Sequence, residues 1–554
     1  MDKSTPEKSH NHFIFLLVLI AVGLIIRITQ HYGFLGTDDS VITTNALRIL
    51  HEGMYTPFTH YDSRLGLILP VYLVFELFGT GVMQSSLFPI IAFLILPLVL
   101  YKIGIQIGLE QRYAFLAGLL VLLTPINIAF GSSNYPEVPF AMAISTAIYF
   151  LLKSNIHLAQ QQIRWVSLGI AILFLFWAYL IKIEIIFVLA GLSFFFLLNR
   201  KYMLGICLVL SPLIFMIVED LLFYMSTTDL SLNRLDILTS GRDASTKTAS
   251  HGATQLWVFP KSMFITFYNF GLLFYFAIWS SFLYLKNVTK YKNHLIGLFV
   301  FAFIAFFIWL QFGTSPKNLL NFFMTGNLKT KSHLDRYLIM LLSFISLMIA
   351  YTAQNKNWIS ANFKPSIWLA ALLLSMAACI PLNDISQEYA LAYNDTQSTL
   401  NDMPAQTIYC DKATCTYYTK LQEFGEFKQL TFENVVIFES KSGVTKNNPN
   451  FTQNGGLVLI NKNRYHYYNR RYTINYPTLE SLKQHADYEV VSSNPGMPTS
   501  YMYLNIISQM LKLLPQDNYL VSKAEATVVE ALDKEDILLF DVTAENASKL
   551  EYIK

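Results

Sequence analysis

Apolar runs of about twenty residues recur along this chain, and no other feature constrains its fold as strongly. They fall near 12–29, 83–103, 113–131, 137–153, 165–182, 183–199, 203–224, 264–285, 294–312, 334–353 and 365–382. A helix needs about 20 apolar residues to cross a hydrocarbon core of ~30 Å. In lipid every backbone polar group must be satisfied internally, which leaves helices or closed barrels as spanning structures. The predicted fold class is therefore an α-helical polytopic membrane protein with about eleven spans. Charge content agrees: 14% of residues are charged, against about 25% in soluble domains. The net charge of +3 carries no basic tail, so nucleic acid is not an expected partner. The first run, Phe13 to Ile28, is long for a signal-peptide core and no small-x-small cleavage pattern follows it. It reads as a retained span.

The stretch from Gly66 to Gly79 decides the topology. It has about 14 residues, contains Pro70 and Glu76, and follows Arg64 directly. That is short for a span and fits an interfacial or re-entrant helix. With a cytoplasmic N-terminus and no crossing at 66–79, the inner loops collect Lys102 and Arg112, Lys153 and Arg164, Arg200 and Lys201, Lys286, Lys290 and Lys292, then Lys356 and Lys364. The short outer turns at 131–136 and 182–184 hold only Lys182. A crossing at 66–79 would turn every later basic cluster outward, against the positive-inside rule.

Four pieces then face outward: the loops 30–82, 225–263 and 313–333, and everything after residue 383. Residues 1–383 form the predicted membrane domain, and 384–554 a soluble extracytoplasmic α/β domain. Its strand-like runs are Thr407–Cys410, Val435–Glu439, Leu457–Asn461, Glu489–Ser492 and Ile537–Asp541, interleaved with helical stretches at 478–486 and 501–514. Cys410 and Cys415 suit either a disulfide or two free thiols, while Cys207 and Cys379 in apolar runs read as packing residues.

The first outer loop concentrates the candidate chemistry. Ile42, Ala46, Ile49 and Leu50 share one face of a predicted helix over Ser40–Leu50, with Asp38 and Asp39 at its start. A second surface helix follows Arg64. Carboxylates here can take a proton from an incoming hydroxyl, and a guanidinium can hold a phosphate bidentately. A capping role explains one of the aspartates but not both, and Asp62 with Arg64 also reads as a plain surface pair. On the next outer turn, SSNYPEVPF spaces Asn134 and Glu137 as a capping box with Pro136 in the first turn. Lys182 and Glu184 are either an interface-anchoring pair or part of a site. Asp335, Arg336 and Tyr337 open a late span, where an arginine either reaches for headgroups or binds substrate. His60, His251 and His333 are scattered without zinc-ligand spacing, and no phosphate-binding glycine loop occurs.

In this order the motifs resemble the GT-C class of glycosyltransferases. More narrowly they resemble the protein O-mannosyltransferases and the lipid A aminoarabinose transferase, glycosyltransferase family 39 and its bacterial relatives. The opening Asp38-Asp39, the run from Ser63-Arg64-Leu65-Gly66 to Leu77-Phe78-Gly79, the loop Pro125–Phe140 and Asp335-Arg336-Tyr337 carry the resemblance. Arg64 stands where the family has lysine, and the family's Pro-Pro is missing. The resemblance covers residues 1–155 and extends to the later spans only in pattern.

Such enzymes take a hexose or pentose from a polyprenyl-phosphate carrier and pass it to an acceptor hydroxyl on a lipid, glycan or protein. The resemblance implies Asp38 as general base, with Asp39 supporting it or orienting the acceptor. Arg64, with Lys182, Arg336 and the adjoining Tyr337, would hold the phosphate; direct attack would invert the anomeric centre. Glu137 would position the acceptor or bind a divalent cation; no other cofactor is expected. Short loops without an organelle signal suggest a bacterial inner membrane, with the C-terminal domain periplasmic and membrane lipids as surroundings. Two other readings compete. A transporter or flippase would carry its charges at the bilayer midplane and show paired repeats, whereas these charges gather at helix ends. An inactive scaffold would keep the spans without a working site.

Overall fold

The computed structural model describes residues 6–31, 34, 38–53, 61–154, 162–227, 257–286, 295–312, 335–359, 363–386, 396, 399–438, 445–461, 477–492, 498–513, 522, 525–526 and 537–550. His60, His251 and His333 lie outside them. The chain divides into two compact units, 1–33 with 41–383, and 34–40 with 384–554.

The first unit is all-helical. In order it contains α1 (Pro6–Thr29), α2 (Asp38–Glu52, whose first three residues group with the other unit), α3 (Leu65–Phe78), α4 (Val82–Gln106), α5 (Gln111–Leu123), α6 (Pro125–Phe130), α7 (Glu137–Lys153), α8 (Trp165–Ile181), α9 (Ile185–Leu198) and α10 (Tyr202–Thr227). Then follow α11 (Val258–Phe264), α12 (Phe267–Phe270), α13 (Leu273–Lys286), α14 (Ile296–Phe312), a 3-10 turn (Asp335–Leu341), α15 (Leu342–Asn355) and α16 (Phe363–Ser386). Among the described residues, His12–Thr29, Val82–Gln106, Tyr202–Met225 and Asp335–Asn355 are each long and apolar enough to cross a bilayer. Shorter apolar helices accompany them, Leu65–Phe78 among these.

Three expected runs are built differently. The run 113–131 breaks at Thr124, whose backbone is extended (φ −68°, ψ 117°), because a residue before proline is pushed out of the helical region. The run 264–285 is interrupted at Gly271, whose φ of +55° favours glycine. The run 334–353 begins as the 3-10 turn rather than as α-helix. The capping box at Asn134 and Glu137 does not form. The helix starts at Glu137 itself, and the Asn134 amide instead donates to the Ser85 carbonyl at 2.8 Å.

Helices α7 and α15 make the centre of the unit. From Val138 to Ile148 every α7 residue is buried, and α15 is buried from Leu342 to Ala353. They are pinned together where Ser145 Oγ donates to Ser343 Oγ at 2.8 Å. Outer helices show the reverse: α1 leaves Phe13, Leu17 and Ile25 exposed, and α10 leaves Met203, Leu213 and Met225 exposed. An apolar helix face of this extent is the kind that lipid chains cover. Cys207 lies on that open face of α10, so it is not the packing residue expected; Cys379 is buried.

The second unit is a mixed α/β fold. Strands β1 (Gln406–Cys410), β2 (Leu430–Asn434), β5 (Gly455–Asn461), β6 (Asp487–Ser492) and β7 (Ile537–Thr543) form one sheet in the order β2-β1-β5-β7-β6. β1 runs parallel to β2 and β5, while β7 is antiparallel to β5 and β6. β3 (Val436–Phe438) pairs separately with β4 (Thr445–Asn447). Tyr409, Phe451, Val458, Ile460, Leu538 and Phe540 belong to the core of this unit. Cys410 and Cys415 form a disulfide across the turn into the helix Lys412–Glu423.

Close approach of α3 to α8 is set by one glycine. A Cβ at Gly66 would lie 2.7 Å from the Ile181 nitrogen and 2.9 Å from the Leu180 carbonyl carbon. Trp177 Nε1 donates to the Gly66 carbonyl at 2.9 Å across the same contact. Gly66→Ala should therefore push the helices apart and cost about 1–3 kcal/mol. A lower melting temperature of the solubilised protein, followed by tryptophan fluorescence, is the expected result.

Candidate active site

Three loops of the first unit bring four of the expected site residues together. Glu137 enters from the turn before α7. Its backbone start is fixed by Pro136, whose carbonyl accepts from Phe140 N at 2.9 Å. The turn ahead of it is braced by Asn134 on Ser85 and, on its other side, by Arg27, whose Nη2 donates to the Ile128 carbonyl at 2.7 Å. Lys182 follows the last turn of α8 directly, with its N–H donating to the Ala178 carbonyl. Arg336 and Tyr337 come from the 3-10 turn that opens the Asp335–Asn355 span.

Glu137 is fully buried, and Lys182 is buried to 4% exposure. Lys182 Nζ donates to Glu137 Oε1 at 3.2 Å, and Arg336 Nε lies 3.7 Å from the same oxygen. Among the described residues none donates a hydrogen bond to Glu137 Oε2. Aromatic faces complete the cluster: the Lys182 ammonium sits 4.1 Å from the Tyr337 ring centroid, and the Arg336 guanidinium 4.3 Å from that of Tyr135. Cation–π contact steadies charges that have left water. One buried carboxylate thus gathers two cations. Among the described residues no three His, Cys, Asp or Glu side chains converge as a metal site.

Asp335 is held from a different direction. Asn269 Nδ2 donates to its Oδ2 at 2.9 Å and to Ser262 Oγ at 2.9 Å, and Asn383 Nδ2 donates to Asn269 Oδ1 at 2.7 Å. This network anchors the 3-10 turn, and with it Arg336 and Tyr337, to α11, α12 and α16.

The remaining site residues have their own surroundings. Asp38 and Asp39 form the first turn of α2, Asp38 partly exposed and Asp39 fully buried. Both are helical, so neither is the cap residue itself. The apolar face of α2 is as expected, with Ile42, Ala46 and Ile49 buried. Asp62 accepts from Asn45 at 2.9 Å, tying the segment before α3 to α2. The Arg64 guanidinium lies 4.6 Å from the Tyr61 ring centroid. Arg64 is two residues from Gly66, which packs on the α8 end that leads into Lys182.

Sequence reasoning missed Tyr61 and Tyr135, each beneath an arginine, and the buried hydrogen bond from Tyr179 to Glu219 at 2.9 Å. Glu219 lies within the apolar run 203–224, where the adjacent Glu219-Asp220 is the signal that could have found it. Tyrosines carried no signal in a chain with 32 of them.

Removing the Glu137 charge should unbalance the cluster. Glu137→Gln leaves the buried Lys182 ammonium without the carboxylate it pairs with, and a loss of about 3–5 kcal/mol is expected. The double variant Glu137→Gln/Lys182→Met should be less destabilised than the sum of the single changes, by about 1–3 kcal/mol. Thermal unfolding of the four proteins in one detergent measures the coupling.

Residues 70–221 match the family described as dolichyl-phosphate-mannose-protein mannosyltransferase. No curated protein matches the chain. Among solved structures, ArnT from Cupriavidus metallidurans bound to undecaprenyl phosphate aligns at 12% identity and a TM-score of 0.48, over 83% of this chain and 95% of that one. The Archaeoglobus fulgidus oligosaccharyltransferase in its apo form aligns at 11% identity and a TM-score of 0.47, over 81% and 69%. The archaeal oligosaccharyltransferase AglB from Archaeoglobus fulgidus, in complex with an inhibitory peptide and a dolichol-phosphate, aligns at 10% identity and a TM-score of 0.46, over 97% and 89%. Across α4 to α10, where the Glu137 loop and Lys182 lie, the chain is thus similar to the dolichyl-phosphate-mannose-protein mannosyltransferases, and it resembles the GT-C membrane glycosyltransferases.

Proposed function

We propose that this chain is an inverting glycosyltransferase. It would move a hexose or pentose from a polyprenyl-phosphate donor to an acceptor hydroxyl at the outer face of a bacterial inner membrane. The observation that carries the reading is the buried Glu137–Lys182–Arg336 cluster, of which Glu137 and Lys182 lie inside the segment that matches the mannosyltransferase family. Two cations gathered at one buried carboxylate can take a ligand that brings negative charge, and a phosphodiester supplies it.

The chemistry divides between the two sets of residues. Asp38 accepts the proton of the acceptor hydroxyl, whose oxygen attacks the anomeric carbon from the face opposite the phosphate. The bond from that carbon to the phosphate oxygen breaks, and polyprenyl phosphate leaves with the electron pair. Phosphate needs little protonation as a leaving group, so cations aimed at the developing charge replace a general acid. Arg64, Lys182 and Arg336 have that role, and Tyr337 steadies Lys182. Glu137 keeps the two buried cations in register and offers Oε2 to a hydroxyl of the substrate. Partial exposure makes Asp38 the base; the burial of Asp39 suits a supporting part. The acceptor is a lipid, a glycan or a protein.

Transfer from synthetic polyprenyl-phosphate sugars tests the assignment. Asp38→Asn should lose at least about 100-fold in rate, the usual worth of a general base, while melting as the wild type does. Asp39→Asn should keep more activity at lower stability. Undiminished transfer in Asp38→Asn would overturn the base. For sidedness, Glu52→Cys in a Cys207→Ser background puts an exposed thiol at the end of α2. It should react with an impermeant maleimide in intact cells, and reaction only after permeabilisation would reverse the topology.

A further inference from the structure

The start of α2, with Asp38 and Asp39, groups with the α/β unit: Phe34–Ser40 and 384–554 form one compact body. Phe34 ties the segment there. It is buried, and its ring stacks on that of Tyr417 with 5.8 Å between centroids and meets Phe424 edge-on at 5.4 Å. Tyr417 lies in the helix Lys412–Glu423, and Phe424 follows that helix directly. Aromatic pairs in these two arrangements attract beyond what burial alone provides.

The clasp is itself held in place. At the start of its helix the Cys410–Cys415 disulfide joins helix to β1, and Asp411 accepts from Thr414 N at 3.2 Å and from the Thr414 hydroxyl at 2.6 Å. At the other end Gln422 Nε2 donates to the carbonyls of Phe427 and Leu430 at 3.0 and 2.7 Å, closing the turn that carries Phe424. Behind Tyr417, the Tyr418 ring meets it edge-on at 5.2 Å and stacks on Phe432 of β2 at 5.2 Å. Phe34 precedes Asp38 by four positions, so the chain keeps the two within about 14 Å of each other. A first helical turn is the part of a helix that frays, because its N–H groups have no acceptor within the helix. Further along, α2 is tied down where Asn45 donates to Asp62. Phe34 supplies a hold ahead of the turn that carries the aspartates.

We infer that Phe34, clasped by Tyr417 and Phe424, is a positioning residue that keeps the first turn of α2 wound and Asp38 in place for the acceptor hydroxyl. The α/β unit thereby takes part in the transfer step through the clasp, without touching the reacting atoms. This rests on Asp38 as the base. A ring that served packing alone would lower stability and leave the work of Asp38 unchanged, and the two roles differ in what they couple to.

Two measurements on the full-length protein in nanodiscs provide the test. The first needs no activity. Helical bonds from the amides of Ile42, Thr43 and Thr44 end on the carbonyls of 38–40, so hydrogen exchange there reports whether the first turn is wound. Phe34→Ala should speed exchange at 42–44 about tenfold, the worth of two aromatic pairs, and Phe424→Ala should speed it in the same direction. Phe34→Leu, which keeps most of the buried volume, should stay close to wild type. The second is transfer from a synthetic polyprenyl-phosphate sugar. Phe34→Ala should lower kcat about 10–100-fold, the cost of a misplaced group, with the donor KM kept and Phe34→Leu recovering most of the rate. In an Asp38→Asn background Phe34→Ala should cost nothing further, because residues that act as a unit are not additive. Wild-type exchange at 42–44 in Phe34→Ala would overturn the clasp. An equal loss of kcat with and without the Asp38 carboxylate would reduce Phe34 to packing, as would full kcat in Phe34→Ala when Asp38→Asn is impaired. Full transfer by Asp38→Asn would overturn the base and the catalytic role of Phe34 with it, and exchange alone would then decide the clasp.

Discussion

A carboxylate placed entirely out of water is tolerable only if cations come with it, and Glu137 imposes that condition on the helical unit. Lys182 at 3.2 Å and Arg336 at 3.7 Å arrive from segments 45 and 199 positions further along the chain. The end of α8, the start of α7 and the 3-10 turn before α15 must therefore meet at one point. The desolvation cost of such a group is several kcal/mol per ion and is offset only by close geometry. The aromatic faces of Tyr337 and Tyr135 and the braces on either side of the turn supply that geometry. Gly66 lets α3, and hence Arg64, pack on the α8 end that precedes Lys182. The stability of the unit depends on that geometry.

The cluster also explains departures from the expected helices. A regular α-helix from residue 334 would carry Arg336 and Tyr337 around the axis at 100° per residue. The 3-10 turn, tied through Asp335 to Asn269, sets a different pitch and aims both residues at Glu137 and Lys182. The break at Thr124-Pro125 similarly gives α6 a course of its own, so that its end meets Arg27 and leads into the Glu137 turn. In each case the interruption is a proline, a glycine or a polar contact at a helix end. The middles of α7 and α15, which pack against protein on all sides, run without a break.

Much of the site was legible in sequence because its residue types are costly where they occur. Charged residues at the ends of apolar runs need partners, and this alone singled out Glu137, Lys182 and Arg336. Their pairing with one another was not legible: Lys182 had Glu184 two residues away as an equally plausible partner, and local spacing cannot weigh a neighbour against a residue 45 positions back. The Asn134–Glu137 spacing failed for the same reason. A capping box assumes that the amide finds its nearest backbone donor, whereas the fold offered it the Ser85 carbonyl on another helix. Tyrosines beneath the cations were invisible because aromatic residues have many reasons to be buried.

What the sequence by itself determined is the class of molecule: apolar runs of spanning length, a basic bias on alternate loops, a surface helix beginning at Asp38-Asp39 and an α/β tail. Periodicity, length and charge content fix these, and they act locally. The strands at 407–410, 457–461, 489–492 and 537–541 were readable on the same ground; their order in the sheet was not, since β-pairing joins distant segments. Only the tertiary structure decided that one buried oxygen of Glu137 takes both cations, and that Asp39 is sealed while Asp38 is partly open. Burial and charge compensation are properties of assembled surfaces, and no window of sequence contains them.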